Sequence, residues 1–275
     1  MIPVNFVYMR PDCLSEAAVA FARMQKEGRA PFYYGGGSEI ITMSRAGSIS
    51  PGAVIDIKGI PECNALELTE DKLIVGAALT LNTIKESRLF PLLGTACGRV
   101  ADHTNQCRIT LGGNLCGTVI YRETSLPMML CDAELLLYGP EGARICPFNS
   151  IFNRRMQLKE GELVVQLHVP AWALNLPYIH VKKTANEKID YPLVNLTALR
   201  KGEEIRVAFS GLAPYPFRCP KVERILNDRL LSPKARINLV LSILSKQAQT
   251  NYEGSSAYRM FVLRNILEGL LEEWK

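Results

Sequence analysis

Two glycine clusters are the stretches of this sequence whose residue types best suit chemistry. They are Gly35-Gly36-Gly37-Ser38-Glu39 and, well downstream, Thr110-Leu111-Gly112-Gly113-Asn114. Glycine lets a phosphate oxygen come close to a backbone N–H, because no Cβ blocks the approach and φ > 0 is accessible. Ser38 and Thr110 add hydroxyls and Asn114 a side-chain amide, all neutral donors suited to phosphate or polyol oxygens. The first cluster has glycine at the first and third positions of a dinucleotide fingerprint, and Asp56 lies about where a ribose-binding acid would follow. It fails at the sixth position, where Ile40 is too bulky for close helix–strand packing, and Pro51-Gly52 comes too soon for a full crossover helix. Neither cluster runs on into the Gly-Lys-Ser/Thr of a P-loop. Two loops without a helix fingerprint suit a long diphosphate clamped between two subdomains, each lending backbone donors. The alternative is that both are plain turns.

No other constellation competes with them. His103, His168 and His180 lack metal-ligand spacing, and none of the eight cysteines forms a CxxC pair, so neither a metal nor an iron–sulfur cluster is expected on this chain. No acid–base pair or activated nucleophile stands out, so no catalytic side chain is assigned.

The elements that must position these loops follow from the apolar pattern. The chain has 275 residues, 48% hydrophobic and 21% charged, with a formal charge of +5 and no basic run, so nucleic-acid binding gets little support. No apolar stretch is long enough to span a bilayer, and the start lacks a secretion signal. A cytoplasmic protein with reduced, buried thiols is expected, and the Asn195-Leu196-Thr197 sequon carries no information there.

Leu14, Ala17, Phe21 and Met24 mark a helix over 15–27, with Ser15 as its cap and Gly28 as its stop. Short strands at 31–34 and 53–57 give the opening a βαβ-like flavour. Residues 66–68 and 73–77 form a hairpin; helices follow around 81–87, 90–103 and 123–131. A second hairpin spans 134–138 and 143–147, and a strand runs from 161 to 170. Three strands at 179–183, 193–200 and 205–211 precede a helical run from Pro220 to the end. The organisation read from this pattern is 1–171, with subdomains of about 1–58 and 59–171, followed by a smaller strand-then-helix domain at 172–275.

Taken jointly, Tyr34-Gly35-Gly36-Gly37-Ser38-Glu39-Ile40 and Thr110-Leu111-Gly112-Gly113-Asn114-Leu115 resemble the FAD-binding subunits of xanthine dehydrogenase and carbon monoxide dehydrogenase, the molybdenum hydroxylase family. That family usually runs Ala-Gly-Gly-Thr-Asp-Leu and Thr-Ile-Gly-Gly-Asn-Leu at these places. Val54-Ile55-Asp56-Ile57, Leu73-Ile74-Val75-Gly76-Ala77, Gly161-Glu162-Leu163-Val164 and Ser256-Ala257-Tyr258-Arg259 fall in the family order, so the resemblance covers nearly the whole chain.

The resemblance implies an α+β fold: a two-subdomain FAD-binding unit of the vanillyl-alcohol-oxidase type, then a C-terminal domain of three antiparallel strands and helices. It implies that the first loop from Tyr34 to Ile40, Thr110, Gly112, Gly113, Asn114 and Thr118 hold FAD, with backbone contacts from Ala101 and Val164. Glu123 falls where a family acid meets the adenosine, Lys182 (or Lys183) where a lysine nears the flavin pyrimidine, and Tyr191 where an aromatic shields the ring. Each has a plain alternative: a solvated helix-start carboxylate, a surface lysine, a strand tyrosine. The partners implied are a molybdopterin-binding large subunit and a two-iron two-sulfur small subunit, with NAD, a quinone or oxygen as final acceptor. Two departures stand out. The segment before the second loop reads Asn105-Gln106-Cys107-Arg108 instead of Gln-Ile-Arg-Asn, and 118–122 lacks the usual Asp-Pro-Ala. They keep in view an assembly subunit that has lost FAD; a stand-alone NAD(P)H-dependent flavoenzyme is a separate alternative.

Overall fold

A computed structural model of the chain describes residues 2–185 and 189–275. The first unit is a parallel sheet of β1 (Val7–Met9), β2 (Pro31–Tyr34) and β3 (Ala53–Asp56) in the order β1-β3-β2, with α1 (Leu14–Lys26) and α2 (Ser38–Arg45) in the crossovers. All four residues of β3 are buried, as befits the central strand of a parallel sheet. The helix expected over 15–27 starts one residue early and is not capped by Ser15; its cap position is Cys13, whose side chain makes no capping bond. Gly28 does end it, with φ +71°. Apolar residues of α1 and β3 meet Leu163 and Val165 in one small core.

The second unit is an antiparallel sheet in the order β4-β5-β10-β6-β7. Its strands are β4 (Leu66–Leu68), β5 (Lys72–Gly76), β6 (Glu134–Gly139), β7 (Gly142–Pro147) and β10 (Leu163–Pro170); a small hairpin, β8 (Phe152–Asn153) and β9 (Arg155–Met156), stands apart from it. Both expected hairpins are present. Helices α3 (Leu81–Ser87), α4 (Pro91–Cys97), α5 (His103–Gln106), α6 (Leu111–Cys116), α7 (Ser125–Leu130) and α8 (Phe148–Ile151) complete it. The single helix expected over 90–103 is broken. Gly98 closes α4, Ala101 adopts a left-handed φ of +50°, and the Asp102 carboxylate starts α5 by accepting the Asn105 N–H at 2.8 Å. The expected turn at 111–114 is itself helical, the first part of α6.

The third sheet runs β11 (Tyr178–Thr184), β12 (Pro192–Lys201), β13 (Glu204–Ser210) and β14 (Phe217–Arg218), all antiparallel. The three expected strands are there and β14 is a short addition. Helices α9 (Pro220–Leu226), α10 (Pro233–Leu244) and α11 (Ser256–Glu273) share a core with this sheet. The sheet also meets α7: the Arg206 guanidinium donates to the Leu130 carbonyl at 3.0 Å and to Asp132 at 2.6 Å. Asn195 of the sequon is fully buried in β12. In the Ser-Ala-Tyr-Arg segment, Ser255 precedes the motif and caps α11 through the Tyr258 N–H, 3.2 Å away. Arg259 is fully buried and donates to the carbonyls of Leu193, Gly211 and Gln249 and to the Asn251 side chain. It ties the ends of β12 and β13 to the loop before α11, so the family signature has a structural role here.

Candidate functional site

The two glycine loops lie against each other. The first leaves β2 at Tyr34 and enters α2 through Gly37, whose φ of +73° is a left-handed value that suits glycine. A Cβ on Gly36 would collide with the Arg108 carbonyl, and one on Gly35 would stand 2.5 Å from the Thr110 hydroxyl. The first loop is thus packed under the entrance to the second. Among the described residues, the N–H groups of Gly36, Gly37, Ser38 and Glu39 donate to no group of the chain. Four consecutive unpartnered donors at the start of an eight-residue helix make a place for an anion, with the helix dipole adding to them.

The second loop is built otherwise, and the expectation that it lends backbone donors needs correction. Leu111 N–H donates to the Leu79 carbonyl at 3.0 Å, Gly112 N–H to Ala77 at 2.8 Å and Gly113 N–H to the Thr110 hydroxyl at 3.2 Å. Thr110 is the N-cap of α6, buried at this task. Gly112 is needed because a Cβ there would press on Ala77 at 2.9 Å. What this loop can offer a ligand is space at exposed Gly113 and the amide of Asn114. Asn114 Oδ1 accepts from the Thr124 hydroxyl at 2.6 Å and N–H at 3.3 Å, which turns its Nδ2 donor the other way.

Glu39 and Thr118 bind one another. The Glu39 carboxylate accepts from Thr118 N–H at 2.5 Å, the Thr118 hydroxyl at 2.8 Å and Val119 N–H at 3.4 Å. That joins α2 to the segment following α6, across the two sheets. Arg122 holds the same segment from behind, donating to the Gly117 carbonyl at 2.7 Å. Ile40 is half-buried within α2. Ala101 is held in its left-handed conformation while its carbonyl, with those of Gly98 and Val100, accepts from the buried Gln106 amide. Val164 is a core residue of β10, next to a register shift in that strand.

Glu123 and Lys182 are both buried, which overturns the plain alternatives of a solvated carboxylate and a surface lysine. They form a buried ion pair, 2.6 Å long, and Lys182 also donates to the Arg99 carbonyl at 2.8 Å. Burial pushes the Glu123 carboxyl up, against the attraction of Lys182 and Arg99. Lys182 points inward and Lys183 outward, which makes Lys182 the lysine of the interior. Next to it in the sheet, His180 accepts or donates at the Thr197 hydroxyl, 2.9 Å away; burial first, then Arg99 and Lys182, lowers it to about 4. Tyr191 is stacked on Tyr121 with ring centroids 4.7 Å apart, so one ring face is already covered while the side chain stays half exposed.

Sequence reasoning missed Lys58. Its ammonium lies 2.8 Å from both oxygens of Asp56 and donates to the Gly35 carbonyl at 3.0 Å. The available signal was a basic residue two places after the acid that closes β3. Among the described residues no three His, Cys, Asp or Glu side chains converge as a metal site, and no helix is long and apolar enough to cross a membrane.

The sequence matches the family described as the FAD binding domain in molybdopterin dehydrogenase over residues 4–172, more than half of the chain. The chain belongs to that family and is an FAD-binding, oxidoreductase-type component. It is 25% identical over 234 residues to the xanthine dehydrogenase FAD-binding subunit of Escherichia coli O157:H7, covering 80% of each chain. It is 27% identical over 281 residues to the glyceraldehyde dehydrogenase medium chain of Sulfolobus acidocaldarius, covering 96% of each. The fold superimposes on a chain of carbon monoxide dehydrogenase from Hydrogenophaga pseudoflava with a TM-score of 0.83 at 22% identity, over 97% of this chain and 96% of that one. A chain of quinoline 2-oxidoreductase from Pseudomonas putida 86 gives 0.83 at 19%, over 98% and 96%. The residues present fit the cofactor: the first loop offers free donors for a diphosphate, and the second offers an unobstructed glycine and an oriented amide.

Proposed function

We propose that this chain is the electron-relay flavoprotein of a molybdenum hydroxylase. In this reading it works beside a large subunit that carries molybdopterin and a small subunit that carries two-iron two-sulfur clusters, and NAD or another acceptor takes the electrons. When bound, FAD supplies the redox chemistry between those clusters and the acceptor. The chain's own contribution is binding and orientation. Gly36 to Glu39 present backbone N–H groups to the diphosphate, Asn114 Nδ2 adds a side-chain donor, and exposed Gly113 leaves room for close approach. The Glu39–Thr118 bonds hold the two halves of that cradle together. Tyr191, half exposed over Tyr121, stands available to cover a flat ring, and the buried Glu123–Lys182 pair fixes the third sheet against the segment before α7.

The observation that carries the reading is the run of four unpartnered N–H groups abutting the second loop in a member of this family. It also favours retained FAD over a subunit reduced to assembly. A cytoplasmic setting and a division of the chain at 171/172 belong to the same proposal; the described cysteines are all free, in keeping with the first of these.

The test is to coexpress the chain with its partner subunits, purify the assembly and add substrate without oxygen. Bleaching of the flavin band only when the partners are present supports the relay. Flavin reduction by NAD(P)H followed by turnover of an acceptor with no partner present would identify a stand-alone flavoenzyme instead.

A further inference from the structure

The strand β3 ends on a carboxylate, and the chain turns at once. Asp56 accepts the Lys58 N–H at 3.0 Å, which caps a short 3₁₀ turn over Ile57–Gly59. The Lys58 side chain then folds back. Its ammonium meets both Asp56 oxygens at 2.8 Å and the Gly35 carbonyl at 3.0 Å, and lies 4.5 Å from the centre of the Tyr34 ring. From β1, the Tyr8 hydroxyl donates to the same carboxylate at 2.7 Å. Residues of β1 and β3 are thus linked, through the Lys58 ammonium, to the one carbonyl of Gly35 that follows β2.

An ammonium has three hydrogens, and these three oxygens account for all of them. Lys58 is thus not a spare cation waiting for phosphate. Its effect falls on the peptide between Gly35 and Gly36. A trans peptide is planar and turns its C=O and N–H to opposite sides. A carbonyl fixed on Lys58 therefore fixes the Gly36 N–H facing away from it, and that N–H is the first of the four without an acceptor in the described chain. Glycine peptides rotate at little steric cost, so without an anchor this donor would sample other directions.

We propose that Lys58 is a positioning residue for diphosphate binding, acting through the Tyr8–Asp56–Lys58–Gly35 chain of hydrogen bonds to pre-orient the first loop. The proposal rests on the reading that this loop holds the diphosphate of FAD. The pairing has a second effect. Burial alone would raise the Asp56 carboxyl, yet the bonds from Lys58 and Tyr8 hold it below the usual carboxylate range, so it is an anion at neutral pH. Lys58 cancels that charge beside a site meant for another anion.

The experiment measures FAD affinity of the full chain by flavin fluorescence quenching, at low and high salt, for wild type, Lys58→Met, Lys58→Arg and Tyr8→Phe. Lys58→Met is expected to weaken binding about tenfold or more. Lys58→Arg should recover most of that, because its fork can still bridge a carboxylate and a carbonyl. Tyr8→Phe is the gentler variant, with an expected loss of about threefold. Lys58→Met should also lower the unfolding temperature without FAD, because Asp56 is buried and loses its cation. Affinity is therefore compared per folded molecule, at a temperature where every variant is folded. Lys58→Arg keeps the charge and should restore most of the stability. A positioning role keeps part of the Lys58→Met loss at high salt, after the charge left on Asp56 has been screened, whereas direct phosphate contact would make the whole loss fade. Equal affinity of Lys58→Met and wild type, or a loss that vanishes in salt, overturns the proposal while the flavin reading stands. Failure of the wild type to bind FAD overturns both.

Discussion

The two glycine loops share a composition but not a job. The first, at 35–39, spends almost none of its backbone donors and is pinned from outside by Lys58, on Gly35, and by Thr118, on Glu39. The second, at 110–114, spends its donors on Leu79, Ala77 and its own Thr110, and Gly112 exists to let α6 lie close to the end of β5. One loop is an open set of donors; the other is a packed joint with one open glycine. A glycine pair in a sequence therefore announces close approach, and only the fate of the neighbouring N–H groups tells whether the thing approached is a ligand or the protein itself.

The contrast can be broken from a distance. Lys182→Met strands Glu123 in the interior beyond α6, and the fold should lose about 3–5 kcal/mol, read as a lower denaturant midpoint. A change of less than about 1 kcal/mol would mean that the pair is wet in solution. The third sheet also supplies a pH dependence remote from both loops. His180 is held neutral in the fold, with a pKa of about 4 against 6.5 when exposed. Between those values the unfolded chain takes up a proton that the folded chain refuses, so stability falls as pH drops through that window, by about 3 kcal/mol in total. Replacing His180 by Gln should remove that slope, and an unchanged slope would assign it to other groups.

The next pair of variants sharpens the comparison directly. Gly36→Val should cost FAD affinity about a hundredfold, near 3 kcal/mol, because a side chain there collides with the Arg108 backbone and drives the loops apart. Gly112→Ala should destabilise the fold by about 1–3 kcal/mol through its pressure on Ala77, while each folded molecule still binds FAD nearly as before. If both variants lost affinity and kept stability, the division of labour between the loops would be wrong. Thr110→Ala should show the smallest effect, about 1 kcal/mol of stability from the lost cap.

Much of the fold was legible because its signals are local. The hairpins at 66–76 and 134–147, the helix at 81–87 and the strands at 178–210 each carry their own apolar run and turn residues. What escaped is what depends on distant partners. β1 is three half-exposed residues that count as a strand only because β3 lies beside them. The break after Gly98 needs the Gln106 side chain to gather three carbonyls, which no periodicity records.

The same division runs through the site. Both glycine loops and Asn114 could be picked out by residue type, and their pairing into one clamp followed from the failure of either as a fingerprint, with the family pattern in support. That Glu39 would grip Thr118, and that Glu123 and Lys182 would grip each other, follows only from the packing of separate sheets and segments. Asp56 was noticed as a possible ribose acid; its actual partners, Lys58 and Tyr8, turn it into a support of the first loop.

The central claim is that the first loop's free donors, closed over by the second, hold the diphosphate of one FAD. Titration of the purified, cofactor-stripped chain with FAD, followed by quenching of flavin fluorescence and repeated with Gly113→Val, tests it most directly. The account predicts one FAD bound per wild-type chain and none by the folded fraction of the variant, whose new Cβ would stand 2.9 Å from the Thr110 hydroxyl and so also costs some stability. Equal binding by a folded Gly113→Val protein, or no binding by the wild type, would contradict it.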